Sequence, residues 1–387
     1  MTADFKPMTG GVAEFSLQIA NTLNKQRILN SVITPVVQVE DNELPIIAPY
    51  KINWIPTQLP IKHLHNKIQS LQYKFFYLKC IFLILNNRES TFFFTYIDDL
   101  YAIPLIKICH KFKVKFIVLL HGKDILRISC KNSDLLDFLV SNSQRLIFNS
   151  LATANLFEKY SNVSAVNSRN IWYPGGRFDY LDQLEPRPIE SLDELPKDAY
   201  IISSVCRLVK RKGINFSIQA FLKLILNAEF KNIYYVIAGE GPEKEDLEQL
   251  AQKSGGKILF LGSVTEGQKK FLLQKSDIFI MPNSSVKGTD FEGFGISFIE
   301  AAYFNNIVIG GNSGGASEAI KMCPRGILVD TDIDDPVSCV SKALNMALQA
   351  LQTNSENIQN INSTNNILRK KLDLEKNVDH LISSFKA

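Results

Sequence analysis

The chain has 387 residues, 45% of them hydrophobic and 21% charged, which is a globular composition with room for two domains of ordinary size. A formal net charge of +4 is too small to imply a nucleic-acid partner. The six cysteines, Cys80, Cys109, Cys130, Cys206, Cys323 and Cys339, form no C-x-x-C pair, which excludes the common zinc pattern and reads as reduced packing residues. No apolar run reaches the length of a membrane span, and no signal peptide precedes the first motif, so a cytosolic location is expected.

In chain order, Gly10-Gly11 follows Pro7 and opens an amphipathic helix over 12–24. Residues 32–39 read as a strand and 51–60 as a short strand and turn. A long helix over 63–85 carries Lys67, Lys74 and Lys79 among Phe75, Phe76, Tyr77 and Phe82. A core helix with a solvated face is the favoured reading, and a helix lying on an anionic membrane is the alternative. Residues 92–96 form a strand, and Asp98-Asp99 caps the helix after it. The strand over 113–120 ends at His121-Gly-Lys-Asp124. A histidine at the C-terminal end of a buried strand points to the ligand end of an α/β sheet. A further strand and polar turn occupy 145–150, and a turn occupies 173–177. Residues 179–199, rich in Pro, Asp and Glu, read as an interdomain linker.

The second half opens with a strand over 200–206, a basic turn from Arg207 to Gly213 and a helix over 214–227. Lys210 and Arg211 in that turn read as plain surface charges. A strand over 233–238 ends in Gly-Glu-Gly-Pro242; a helix over 243–253 and a strand over 258–261 follow. The apolar run 277–281 is a buried strand, 282–295 a polar loop, 296–304 a helix and 307–309 the next strand. Glu292 lies in that loop and Glu300 about two turns later. Gly293 and Gly295, on either side of Phe294, remove side chains where the helix begins, so backbone N–H groups can approach a ligand. A carboxylate accepts two hydrogen bonds at once and suits vicinal hydroxyls. From 341 the chain is helical, 353–366 is polar and Asn-rich, and 367–385 has apolar residues at helical spacing.

The run E-G-F-G-I-S-F-I-E over 292–300 resembles the signature of the retaining GT-B glycosyltransferases of family four. Arg207 and Lys212 resemble the family's R-x4-K motif, His121-Gly122 its HG motif, and Gly10-Gly11 its first-loop glycine pair. The turns at 173–177, 239–242 and 310–318 match in the same order, so the resemblance runs from Gly10 to Glu318. It implies an α/β chain of the GT-B fold, two Rossmann-like domains facing across a cleft. Residues 1–178 would form the acceptor-binding domain, with its first strand missing or cut to a stub at Thr2–Phe5. Residues 179–199 would be the linker, 200–366 the nucleotide-sugar-binding domain, and 367–387 a helix crossing back to the first domain.

The resemblance also implies a reaction: transfer of a hexose from a UDP- or GDP-linked sugar to an acceptor hydroxyl, with retention. No metal or other cofactor is expected. Two fixed cations can stabilise a departing diphosphate, and Arg207 and Lys212 take that role. Glu300 would hold the ribose diol, Glu292 and the backbone of Gly293, Phe294 and Gly295 the hexose hydroxyls. His121 would contact the hexose, and Gly10 and Gly11 the phosphates. A sugar or lipid-linked acceptor in bacterial surface polysaccharide or glycolipid synthesis is the expected partner, with peripheral contact at the inner membrane leaflet. The main alternative is a catalytically weak or inactive sugar-nucleotide-binding protein that serves as a partner subunit. A GT-A enzyme would need a metal-binding D-x-D, and Asp330-Thr-Asp332 lies late, in an acidic loop. A nicotinamide dehydrogenase would need a G-x-G-x-x-G after a strand, which the chain lacks.

Overall fold

The computed structural model describes residues 1, 10–36, 50–56, 66–99, 101–131, 134–163, 170–226, 230, 232–284, 290–353, 361–376, 378–379 and 382. Two compact units divide the chain: 1–174 with 374–387, and 175–373. Each is built on parallel strands, whose crossovers are supplied by helices.

The first unit begins with Met1 against a sheet edge. Its nitrogen donates to the Phe93 carbonyl, and its carbonyl accepts from the Thr95 N–H at 3.1 Å. Residues 2–9, which include the expected strand stub, lie outside the described residues. Helix α1 (Gly11–Lys25) buries Phe15 and Ile19 one turn apart. Strands β1 (Ser31–Val36) and β2 (Lys51–Pro56) pair in parallel as a separate two-stranded sheet. Helix α2 (Asn66–Asn86) follows; the start of the helix expected at 63 lies outside the described residues. Then come β3 (Phe92–Phe94), α3 (Ala102–Lys111), β4 (Phe116–Leu120), α4 (Lys123–Lys131), α5 (Asp134–Asn142), β5 (Arg145–Phe148), α6 (Leu151–Tyr160) and β6 (Asn170–Ile171). The four strands pair in the order β3-β4-β5-β6.

Alternation along β4 explains the two sides of this sheet. Ile117 and Leu119 pack with Phe15 and Ile19 of α1, while Phe116, Val118 and Leu120 pack with Phe76 of α2 and Ile106 of α3. With both faces covered, the strand is apolar throughout. It begins at Phe116 rather than at 113, because Lys113 takes a left-handed φ of 56° that ends any extended run.

The second unit starts with α7 (Phe178–Gln183), which begins one residue before the stretch read as a linker and runs into it, and α8 (Glu190–Asp193), which lies inside it. That stretch is packed: Phe178 lies 4.7 Å from Tyr303 ring to ring, and Ile189 and Leu192 are buried with Ile201, Val236 and Leu272. The unit continues through β7 (Tyr200–Val205), α9 (Ile214–Leu226), β8 (Ile233–Ala238), α10 (Lys244–Ala251) and β9 (Ile258–Gly262). Next are α11 (Glu266–Lys275), β10 (Ile278–Met281), α12 (Ile296–Tyr303), β11 (Ile307–Gly311), α13 (Ala316–Met322) and β12 (Gly326–Val329). Helices α14 (Pro336–Thr353) and α15 (Ile361–Lys371) complete it. Helix α14 packs on α9 and α15 on α12, so the chain joins the first unit only from Leu374 onward. The six strands pair in parallel in the order β12-β11-β10-β7-β8-β9. The chain therefore builds outward from β7 through β9, returns, and builds the other way from β10.

Candidate functional site

The reversal between β7 and β10 places two loops side by side at the C-terminal end of the second unit's sheet. In open parallel sheets such a switch point leaves a crevice where ligands are held. The loop after β7 tightens into a 3-10 turn, Lys210–Lys212, closed by Gly213 at a φ of 66°. A side chain at Gly213 would strike the Pro282 carbonyl, so glycine is required twice over, by backbone and by contact. The Ser284 N–H donates to the Arg211 carbonyl at 2.9 Å and ties the two loops together.

Three donors converge on one oxygen of Glu292. Lys212 Nζ donates to Oε2 at 2.6 Å and Asn283 Nδ2 at 2.9 Å, and Arg211 Nη1 donates to the same atom. Arg211 Nε also donates to Asp290 Oδ2 at 2.9 Å. Among the described residues nothing donates to Glu292 Oε1, which leaves that oxygen free to accept from a ligand. Burial alone would push the Glu292 carboxyl up; Lys212 and Arg211 beside it outweigh that and hold it below the usual carboxylate range. The Glu292 carbonyl accepts from the Gly315 N–H at 2.8 Å, so the turn before α13 supports the loop from behind.

Gly295, at a φ of 93°, opens α12, where a side chain would strike the Phe298 ring. The helix has no acidic residue in its first turn, and its N-cap carries no side chain to occupy the N–H groups. Phe294 is buried beside it. Glu300 lies one turn further along α12 in a cluster of its own. Its Oε1 accepts from Arg177 Nε at 3.2 Å and Lys269 Nζ at 3.2 Å, and its Oε2 accepts from Lys269 at 3.0 Å. Arg177 also donates to Glu266 at 2.7 Å. Burial again pushes the Glu300 carboxyl up, and Lys269 and Arg177 bring it below its ordinary value.

The two cations of the R-x4-K motif part company. Lys212 is buried against Glu292, whereas Arg207 is exposed and its side chain meets no partner among the described residues. Arg211, read from sequence as a plain surface charge, is instead part of the cluster, its side chain only 21% exposed. Asn283, Asp290, Arg177, Glu266 and Lys269 carried no sequence signal. Asp330-Thr-Asp332 is a local turn, in which the Asp332 N–H donates to Asp330 at 3.0 Å.

In the first unit His121 closes β4 and is 7% exposed. Its Nε2 faces the Thr95 carbonyl at 2.7 Å, so that nitrogen carries the proton. Its backbone N–H donates to Asp124 at 3.0 Å, and Phe15 meets the ring edge-on. Gly10, at a φ of 133° with open space where a side chain would stand, caps α1, and Gly11 is its exposed first residue.

The fold defined by these two units is GT-B, the architecture of nucleotide-sugar glycosyltransferases. It matches HepE from Anabaena, solved with UDP and glucose, at a TM-score of 0.66 and 15% identity over 100% of this chain and 98% of that one. Sucrose-phosphate synthase from Thermosynechococcus elongatus matches at 0.69 and 14% identity, over 98% and 93%. Residues 190–360, which hold the whole Glu292 cluster, match the model of the family described as glycosyl transferases group 1. Alpha-1,3/1,6-mannosyltransferase ALG2 of Rhizomucor pusillus is 28% identical over 65% of this chain. A GDP-mannose-dependent alpha-(1-6)-phosphatidylinositol monomannoside mannosyltransferase of Mycobacterium tuberculosis is 34% identical over 36% of it. The matched region spans 63% of the first relative's length and 36% of the second's.

Proposed function

We propose that the protein is a retaining hexosyltransferase that moves a hexose from a nucleotide diphosphate sugar to an acceptor hydroxyl without a metal. One observation carries the reading: Lys212 and Arg211 meet Glu292 at the switch point of the second unit's sheet, beside the uncapped start of α12. The site therefore has largely buried cations for a diphosphate, helix N–H groups for the same anion, and a Glu292 oxygen that meets no donor among the described residues for a sugar hydroxyl. Transfer breaks the bond between the anomeric carbon and the β-phosphate oxygen. The cations take up the charge that develops on that oxygen, which in turn accepts the acceptor's proton, and no protein base is assigned. Arg207 would swing onto the diphosphate, and Glu300 would receive the ribose. His121, Gly10 and Gly11 are assigned to the donor on the resemblance alone.

The donor is UDP- or GDP-linked; relatives whose names specify GDP-mannose favour GDP-mannose. A sugar or lipid-linked acceptor of surface polysaccharide or glycolipid synthesis would place the enzyme in the cytoplasm, at the inner face of the plasma membrane. Among the described residues no helix is long and apolar enough to cross a membrane. A second reading, a sugar-nucleotide-binding partner subunit with weak or no turnover, is favoured by Glu300, whose two oxygens are already held by Arg177 and Lys269. Release of nucleoside diphosphate from a panel of UDP- and GDP-hexoses separates the two. Steady release with one donor supports the enzyme; tight binding of a donor with no release supports the subunit.

A further inference from the structure

The two cations that hold Glu300 hold it differently. Lys269 spans both carboxylate oxygens, at 3.2 and 3.0 Å. Arg177 loads Oε1 alone, through Nε at 3.2 Å and also through Nη2. Among the described residues Oε1 therefore has three donors and Oε2 one. A carboxylate oxygen has two lone pairs, so Oε2 can accept one more hydroxyl, whereas Oε1 can accept none until Arg177 withdraws. All three residues belong to the second unit.

Arg177 has a second carboxylate to go to. Its Nη2 also donates to Glu266 Oε2 at 2.7 Å. The Glu266 side chain is 36% exposed, against 3% for Glu300. The guanidinium can therefore turn toward the outer carboxylate without becoming an unpaired buried charge, and Glu300 keeps Lys269. Arg177 stands at a φ of 52° directly after Gly175-Gly176. Side chains other than glycine seldom take that conformation, and it clusters at ligand sites. The helix behind it is fixed. Lys270 Nζ donates to the Leu181 and Leu184 carbonyls at 2.7 Å each, and the Tyr303 hydroxyl donates to Asp182 at 2.6 Å. Helix α7 is pinned in this way, so an exchange between Glu300 and Glu266 needs only the arginine side chain to move.

We infer that Arg177 is an internal competitor of the nucleotide: it occupies the Glu300 oxygen that a ribose hydroxyl would use, and donor binding moves its guanidinium from Glu300 to Glu266. The inference rests on the reading of Glu300 as the ribose carboxylate. Competition of this kind lowers the apparent affinity by the fraction of molecules in which Glu300 is released, so Arg177 and Glu266 together set how tightly the donor binds. Two substitutions then act with opposite signs. Removing the guanidinium frees Oε1 and tightens binding. Neutralising Glu266 leaves the guanidinium with Glu300 as its remaining partner of the two and weakens binding. An ion pair that only braced the fold would change the Tm and leave the affinity alone.

The full chain is titrated calorimetrically with GDP and UDP and with their 2′-deoxy forms. Arg177→Asn, whose side chain tolerates the left-handed backbone, should bind the preferred ribonucleotide about tenfold more tightly, and Glu266→Gln about tenfold more weakly. The gain in Arg177→Asn should shrink with the 2′-deoxynucleotide, which has one hydroxyl fewer for Glu300. A wild type that binds neither nucleotide beside an Arg177→Asn that binds one supports the inference equally. A cooperative thermal transition without nucleotide confirms that each variant is folded; should Arg177→Asn fail to fold, Glu266→Gln, changed at a partly exposed side chain, decides by itself. Glu300→Gln separates the two claims. Unchanged affinity in Glu300→Gln refutes the ribose assignment itself. Weakened affinity there, with folded Arg177→Asn binding no more tightly than wild type or Glu266→Gln binding no more weakly, overturns the competitor role alone.

Discussion

Glu292 and Glu300 belong to one signature, eight residues apart, and they sit in unlike surroundings. Glu300 is buried and the Glu292 side chain is 11% exposed, and each is held below its ordinary pKa by two cations. Among the described residues Glu292 takes all three of its donors on Oε2. Glu300 has both oxygens occupied by Arg177 and Lys269. One carboxylate is oriented with an acceptor to spare; the other must release a partner before a ligand can reach it. Burial and net charge do not distinguish a carboxylate with an acceptor to spare from one already paired on both oxygens. The distribution of donors over its two oxygens does.

The largest effect on this contrast should come from Lys212→Ala. It removes a buried cation from the Glu292 side only, and nucleoside diphosphate release should fall by about 100-fold or more, as when one transition-state donor is lost. A fall of less than threefold would break the comparison. Next come Glu292→Gln and Glu300→Gln. Each leaves two largely buried cations facing a neutral amide and should cost on the order of 3 kcal/mol of unfolding free energy in urea titration. Activity should separate them: Glu292→Gln lowers kcat, while Glu300→Gln mainly raises the donor KM.

Acid sharpens the contrast with a smaller effect. Both carboxyls titrate lower folded than unfolded, so their contribution to stability is complete above the ordinary glutamate value of 4.5. It is lost as pH falls through the folded values beneath that. The urea midpoint should therefore drop below about pH 4.5, and drop less steeply in either Gln variant. The smallest effect belongs to Asn283→Ala. It removes one neutral donor from Glu292 Oε2 and should cost about 1.5 kcal/mol, read from the same titration.

The strands of the second unit were legible because parallel strands covered on both faces must be apolar throughout, as Ile278 to Met281 are. The loops after them were legible as standing at the C-terminal end of the sheet for the same topological reason. The choice of cation was less so. Three basic residues stand in a row, and which of them faces inward depends on a 3-10 turn whose phase differs from that of an α-helix. Arg177 was hidden for another reason. Its partner Glu300 lies 123 residues away, and a left-handed arginine after two glycines reads only as a turn. His121 was placed at its strand end, but its bond to the Thr95 carbonyl depends on the neighbouring strand and left no local trace.

The central claim is that the Lys212–Glu292 cluster receives the diphosphate of a nucleotide sugar. The most direct test is the Tm of the wild type and of Lys212→Ala, with and without saturating GDP or UDP. Binding to the native state should raise the wild-type Tm by several degrees with one of the two nucleotides, and the shift should vanish in Lys212→Ala. An equal shift in both proteins, or none with either nucleotide, would contradict the account.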